Sequence, residues 1–209
     1  PMHPHTATSA IIRSGLTIRD LQCPPADADT VTSITIDDTI RAAKGNFGFV
    51  YAATGDRELY RECLLAESYA KTQYVSCAIH LRRAFELLAF YTFGRALCTV
   101  TPGLTLPEAK AHAKQFYESD PRCFNPKLQL SLVLAGLGYI DVVFNERFVF
   151  SDNPAYPGCK KMVDMLFSLY SDASGMAHTG RDGGHRDCSW LLRRFYTAAG
   201  MLLQVDVPA

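Results

Sequence analysis

The chain has 209 residues, with 21 Lys+Arg balanced by 21 Asp+Glu, 48% hydrophobic and 20% charged residues. That length and apolar content suffice for a well-buried core and exclude a mainly disordered chain. A formal net charge of zero removes the case for nucleic-acid binding through bulk basicity, so any such site must be sought in particular residues.

Pro1 ahead of Met2 reads as a cloning scar, and the stretch up to about residue 29 mixes Pro, His, Thr, Ser, Asp and Ala without sustained periodicity. Pro24-Pro25 forbids a helix through that point, so an arm is expected there. Residues 31–36 carry β-branched side chains in weak alternation and allow one short strand.

From about Asp56 the period becomes helical. Leu59, Cys63, Leu64 and Ser68 share one face of a first helix, with Arg57, Glu58, Arg61 and Glu62 on the other. A longer second helix has Tyr74, Cys77, Ala78, Leu81, Phe85, Leu88 and Tyr91 at three- and four-residue steps. Pro107 suits the first turn of a third helix reaching about Tyr117, and Pro121 and Pro126 bracket the turn that follows it.

A fourth helix, from about Lys127 to Leu137, stops near Gly136 and Gly138. Residues 139–150 suit strand or helix through Val142, Val143, Phe148, Val149 and Phe150, and are expected as helix. Asn153-Pro154 and Tyr156-Pro157-Gly158 form a loop before a fifth helix with Met162, Met165, Leu166, Leu169, Tyr170 and Ala173 on one face. Cys188, Leu191, Leu192, Phe195, Ala199 and Leu202 mark an amphipathic last helix.

The expected fold is therefore all-α, a bundle of five to six helices with an extended N-terminal arm. Residues 1–45 would form the arm, partly disordered or with one short strand, and residues 46–209 the helical domain. The run 128–144 is broken by Gln129, Ser131 and Asp141 and makes a poor membrane span. Cys23, Cys63, Cys77, Cys98, Cys123, Cys159 and Cys188 stand singly, with no apolar leader ahead of them in these residues. They read as reduced, mostly buried thiols of a cytoplasmic protein with no membrane association.

The most unusual composition lies at 174–187, SGMAHTGRDGGHRD, with four glycines, two histidines, two arginines and two aspartates in fourteen residues. Gly180, Gly183 and Gly184 let backbone N–H groups approach a ligand, and the next helix begins with unpaired N–H donors. With Arg181, His185 and Arg186 these groups could receive a phosphate. The same residues also suit a plain turn with solvated arginines, and a His178 that merely complements a helix C-terminus.

His178, His185 and Cys188 give the spacing H-x6-H-x2-C without a fourth ligand or a close ligand pair, so no metal and no cofactor is expected. His3 and His5 could at most hold a stray metal. P-loop, dinucleotide and nucleophile-elbow motifs are absent from the sequence. In the second helix Arg82 and Glu86 stand four apart and can pair. They read either as a surface ion pair or as a pair that lies near His178 and orients it.

The segments AIHLRRAFELL, beginning at Ala78, and SGMAH, ending at His178, with Asn46-Phe47-Gly48-Phe49 ahead of the first helix, resemble the HEPN-like helical domains. The subgroup resembled is that of type I restriction motor subunits and prokaryotic defence proteins, over roughly residues 46–204. The resemblance implies a bundle that often dimerises and, in catalytic relatives, a metal-independent ribonuclease with an R-x(4–6)-H motif. There His acts as general acid and base while Arg stabilises the phosphorane. In this chain Ser171, Asp172 and Ala173 occupy the positions of that Arg, and only three residues separate Arg181 from His185.

The leading expectation is accordingly a HEPN-like module for dimerisation or for nucleic-acid or ligand sensing in a defence or restriction system. Its partners would be a second copy, RNA or a nucleotide, and a larger defence complex. The second expectation is a metal-independent endoribonuclease with a composite site of His178 and His185 with Arg181 or Arg186, completed at a dimer interface. A third is a nucleotide- or phosphate-binding regulator. Arg186, Gly183, Gly184, Arg82 and Glu86 are the ligand-binding candidates in each.

Overall fold

The computed structural model describes residues 3–22, 46–122, 124–179 and 184–203, the side chains of 184–186 excepted. Helices dominate the described residues, in keeping with an all-α class, and the sheet among them has only two strands. The short strand expected at 31–36 lies outside the described residues. The chain divides into two compact units, Pro1–Leu21 with Ala89–Ser168, and Gln22–Leu88 with Leu169–Ala209. The expected boundary at 45 and 46 falls at the edge of the undescribed segment.

In the first unit, the residues expected as an arm carry two helices, α1 (Pro4–Arg13) and the single turn α2 (Ile18–Leu21). Helix α1 is poor in strong helix formers, which is why its composition reads as coil. Pro4 opens it where no N–H partner is needed, and Ala7, Thr8 and Ile11 are buried on one face, so tertiary packing outweighs propensity. Two further helices of the unit, in chain order after the long helix described below, are Leu106–Ser119 and Pro126–Gly136.

In chain order the remaining helices are α3 (Gly48–Thr54), α4 (Arg57–Tyr69), α5 (Tyr74–Val100), α6 (Leu106–Ser119), α7 (Pro126–Gly136), α8 (Lys160–Thr179) and α9 (Gly184–Leu203). The second half of α5 and the first half of α8 belong to the first unit. Helix α6 begins with a capping box in which the Glu108 carboxylate accepts from the Thr105 N–H at 3.0 Å and the Thr105 hydroxyl at 2.6 Å. Asn125 caps α7 by accepting from the Leu128 N–H at 3.0 Å.

Helix α7 is buried almost all round and forms the middle of this unit, with α1 against it. Gly136 permits that approach, because a Cβ there would stand 2.8 Å from Leu16 Cδ1 and 3.0 Å from the Ile11 carbonyl oxygen. No larger residue fits without moving backbone.

After Gly138, at φ 78°, the expected helix over 139–150 is replaced by an antiparallel hairpin, β1 (Ile140–Asn145) and β2 (Arg147–Asp152). The register pairs Val142 with Phe150, Val143 with Val149 and Phe144 with Phe148. β-branched and aromatic residues pack well across a pleated pair, and a glycine in the left-handed region ends helical propagation before them. Period two therefore wins over the helical reading.

In the second unit, Asp56 caps α4 by accepting from the Leu59 N–H at 3.0 Å. Leu59, Cys63 and Leu64 of α4, Leu81, Phe85 and Leu88 of α5, Leu169 and Ala173 of α8, and Leu191, Phe195 and Leu202 of α9 are buried, as their stripes predict. Phe85 lies with its ring 5.2 Å from Tyr170 and 6.5 Å from Phe195, and its full burial is worth about 1.5–3 kcal/mol. Phe47 of the Asn46-Phe47-Gly48-Phe49 lead-in stands 5.7 Å from Phe195, which places that segment on α9.

Cys63, Cys77 and Cys188 are buried and Cys98 and Cys159 half-buried, and none of these five is in a disulfide. Burial pushes the Cys63 and Cys77 thiols above their ordinary range, so they behave as small hydrophobes. No helix among the described residues is long and apolar enough to cross a membrane.

Candidate functional site

The second unit brings three of the singled-out residues together. Helix α5 carries Arg82, Arg83 and Glu86 within about one turn, and α8 carries Tyr170 and His178 about two turns apart, so each helix presents its polar groups along one edge. Arg82 donates through Nη1 to His178 Nε2 at 2.7 Å and through Nε to Glu86 Oε1 at 3.2 Å. Tyr170 donates its hydroxyl to the same Glu86 oxygen at 3.1 Å. The relation conjectured from sequence, a charged pair beside His178, is a direct hydrogen bond.

Arginine has no acceptor, so the His178 nitrogen facing it presents its lone pair and the ring proton of neutral His178 sits on Nδ1. Partial burial works against the Arg82 charge, but Glu86 and Tyr170 more than offset it and hold the guanidinium above its already high range. The Arg82 side chain is 26% exposed and Glu86 12%, whereas His178 is exposed. A carboxylate at the protected end thus anchors a cation whose other end meets an accessible imidazole.

The anchor extends through α4. Arg83 reaches Glu86 Oε2 at 3.7 Å and donates to Glu58 Oε1 at 3.0 Å. One turn away, His80 Nδ1 lies 2.7 Å from Glu62 Oε2, with its ring stacked on Tyr69 at 5.5 Å. The sequence reading did not single out Tyr170, Arg83, Glu58, Glu62 or His80. By spacing Tyr170 falls on the apolar stripe, although a phenol among buried residues signals a hydrogen-bond partner. The α4 acids and the α5 bases had no such signal, because their pairing depends on how two helices align.

Gly184 opens α9, where the sequence reading put the start of the last helix. Arg181 and Gly183 lie outside the described residues, as do the side chains of His185 and Arg186. Among the described residues no group of three or more His, Cys, Asp or Glu side chains is placed to hold a metal ion.

Chemically, the arrangement joins a permanent cation, an imidazole lone pair and a fixed carboxylate. That set can neutralise an oxyanion and move a proton. No family model, curated protein or solved structure matches the chain.

Proposed function

We propose that the chain is a HEPN-like helical module that acts on RNA as a metal-independent endoribonuclease, with His178 and Arg82 as its reacting pair. The observation that carries the reading is the 2.7 Å contact between Arg82 Nη1 and His178 Nε2. It supplies from α5 the arginine that is missing at residues 171–173. In this reading His178 Nε2 takes the proton of a ribose 2′-hydroxyl, whose oxygen attacks the adjacent phosphorus. The P–O5′ bond breaks, the leaving oxygen takes a proton back from the imidazolium, and the products are a 2′,3′-cyclic phosphate and a 5′-hydroxyl.

Arg82 offsets the charge that grows on the phosphoryl oxygens, and Glu86 with Tyr170 keeps its planar group aimed. His185, Arg181 and Arg186 are proposed to serve the flanking phosphates. A second copy, completing a homodimer in a cytoplasmic defence or restriction complex, belongs to the same proposal.

A second reading, RNA sensing without cleavage, is favoured by Glu86, whose carboxylate already neutralises part of the Arg82 charge. End-labelled single-stranded RNA incubated with the chain and a chelator separates the two. The nuclease reading expects cleavage to cyclic-phosphate ends, reduced about 10²–10³-fold in both His178→Ala and Arg82→Ala with unchanged circular dichroism. RNA binding without cleavage, weakened by Arg82→Ala, supports sensing, and neither cleavage nor binding defeats both. His185→Ala in the same assay tests the proposed role of that residue.

A further inference from the structure

In the first unit, α1 and the β1–β2 hairpin enclose a cleft of about 220 Å³. Its walls are unlike the Arg82–His178 site. The hairpin contributes Val142, Phe144 and Phe148, and α1 contributes His5, Thr8 and Ser9. The Phe144 and Phe148 rings lie 5.1 Å apart, and the His5 ring meets Phe144 edge-on at 5.4 Å. Phe124 supports both sides, 5.5 Å from His5 and 6.5 Å from Phe148. Phe144 nevertheless remains 55% exposed, although it faces this cleft rather than open solvent alone.

A second observation points to an occupant. Thr8 is only 1% exposed, lines the cleft, and has a hydroxyl with no hydrogen-bond partner. A buried hydroxyl without a partner is costly, and a helical threonine ordinarily spends it on a carbonyl one turn back. A turn of the Thr8 side chain to another staggered rotamer would exchange its methyl for the hydroxyl at the cleft wall, where a ligand atom supplies the missing bond.

The lining selects the chemistry. It holds no lysine, arginine or acid, which disfavours phosphate and ammonium groups alike. Three aromatic rings favour a flat π-system, and the His5, Thr8 and Ser9 polar atoms can each donate and accept. The volume of about 220 Å³ lies below the roughly 300–1,000 Å³ of drug-sized pockets, which limits the occupant to one small ring system. We infer that this cleft binds an uncharged heteroaromatic ring, a nucleobase, carried either by a free nucleoside or by an unstacked position of a single strand. The inference stands apart from the Arg82–His178 reading and uses none of its residues.

The test is an amide NMR titration of the whole chain with adenosine, guanosine, cytidine and uridine, and separately with inorganic phosphate and short homo-oligonucleotides. At least one nucleoside is expected to give saturable shifts confined to residues 5–12 and 142–148, and phosphate none. A homo-oligonucleotide that gives the same shifts at lower concentration identifies the strand as the source, and a nucleoside that binds as well or better identifies the free form. Phe144→Ala, at an exposed position, abolishes the shifts. Thr8→Val weakens binding about tenfold while leaving the melting temperature equal or higher, because it removes an unpartnered hydroxyl and keeps the shape. Absence of saturable shifts with all four nucleosides, competition by phosphate, or wild-type affinity in Thr8→Val overturns the inference.

Discussion

Gln129 of the first unit and Arg82 of the second are polar side chains used in opposite ways. Gln129 is fully buried, and its amide donates to the Ala113 carbonyl at 2.8 Å and the Phe124 carbonyl at 3.1 Å. Both partners are backbone, so the bonds tie the end of the loop before α7 to α6. Arg82 is bonded to side chains, Glu86 and His178 with Tyr170 beside them, and keeps a quarter of its surface open. A polar group sealed against main chain holds a fold in place, whereas one held by side chains at a surface stays ready to exchange a partner for a ligand.

The comparison can be broken most severely at the sealed group. Gln129→Ala removes both donors and leaves a void, and a loss of about 2–4 kcal/mol in urea unfolding at unchanged m-value is expected. The proposed RNA cleavage, per folded molecule, should stay the same. A loss under about 1 kcal/mol would place Gln129 with the dispensable polar groups.

Arg82→Lys probes the open group. It keeps the charge but loses the fork that reaches His178 and Glu86 together, so the proposed cleavage should fall about tenfold with a melting temperature within a degree or two of wild type. An effect on stability alone would make Arg82 structural. Tyr170→Phe is milder still, removing the hydroxyl from Glu86 at a cost of about 1 kcal/mol in stability, with a smaller fall in cleavage than for Arg82→Lys.

The smallest effect belongs to the capping box of α6. The Thr105 hydroxyl, then the Thr105 backbone N–H, hold the Glu108 carboxyl below its ordinary value in the folded chain. A depressed carboxyl contributes stability that is complete above its unfolded value and lost as pH falls through the folded one. Wild type should therefore lose slightly more stability than Glu108→Gln as pH drops through and below the ordinary carboxylate range. Parallel pH profiles would count against the capping role.

The legible part of this fold is the part set by local periodicity. Leu81, Phe85 and Leu88 recur at helical spacing and are buried, and Asp56 and Asn125 stand at helix starts where their side chains accept N–H bonds. Helix α1 was not legible, because its Ala7, Thr8 and Ile11 face gains its helical preference from α7, far away in sequence. The hairpin failed for a different reason: Val142, Val143, Phe148 and Phe150 suit either period, and only the backbone turn at Gly138 decides between them. At the site, Arg82, Glu86 and His178 were singled out, but the hydrogen bond joining them spans 96 residues and leaves no trace in spacing.

Helix α1 also bears on how the chain may be shortened. The first thirteen residues of the chain look expendable by composition, yet Ile11 closes over Gly136 and His5 over Phe124. A trimmed chain starting at residue 46 would bare an oily strip along α7 and should be recovered from cells in inclusion bodies.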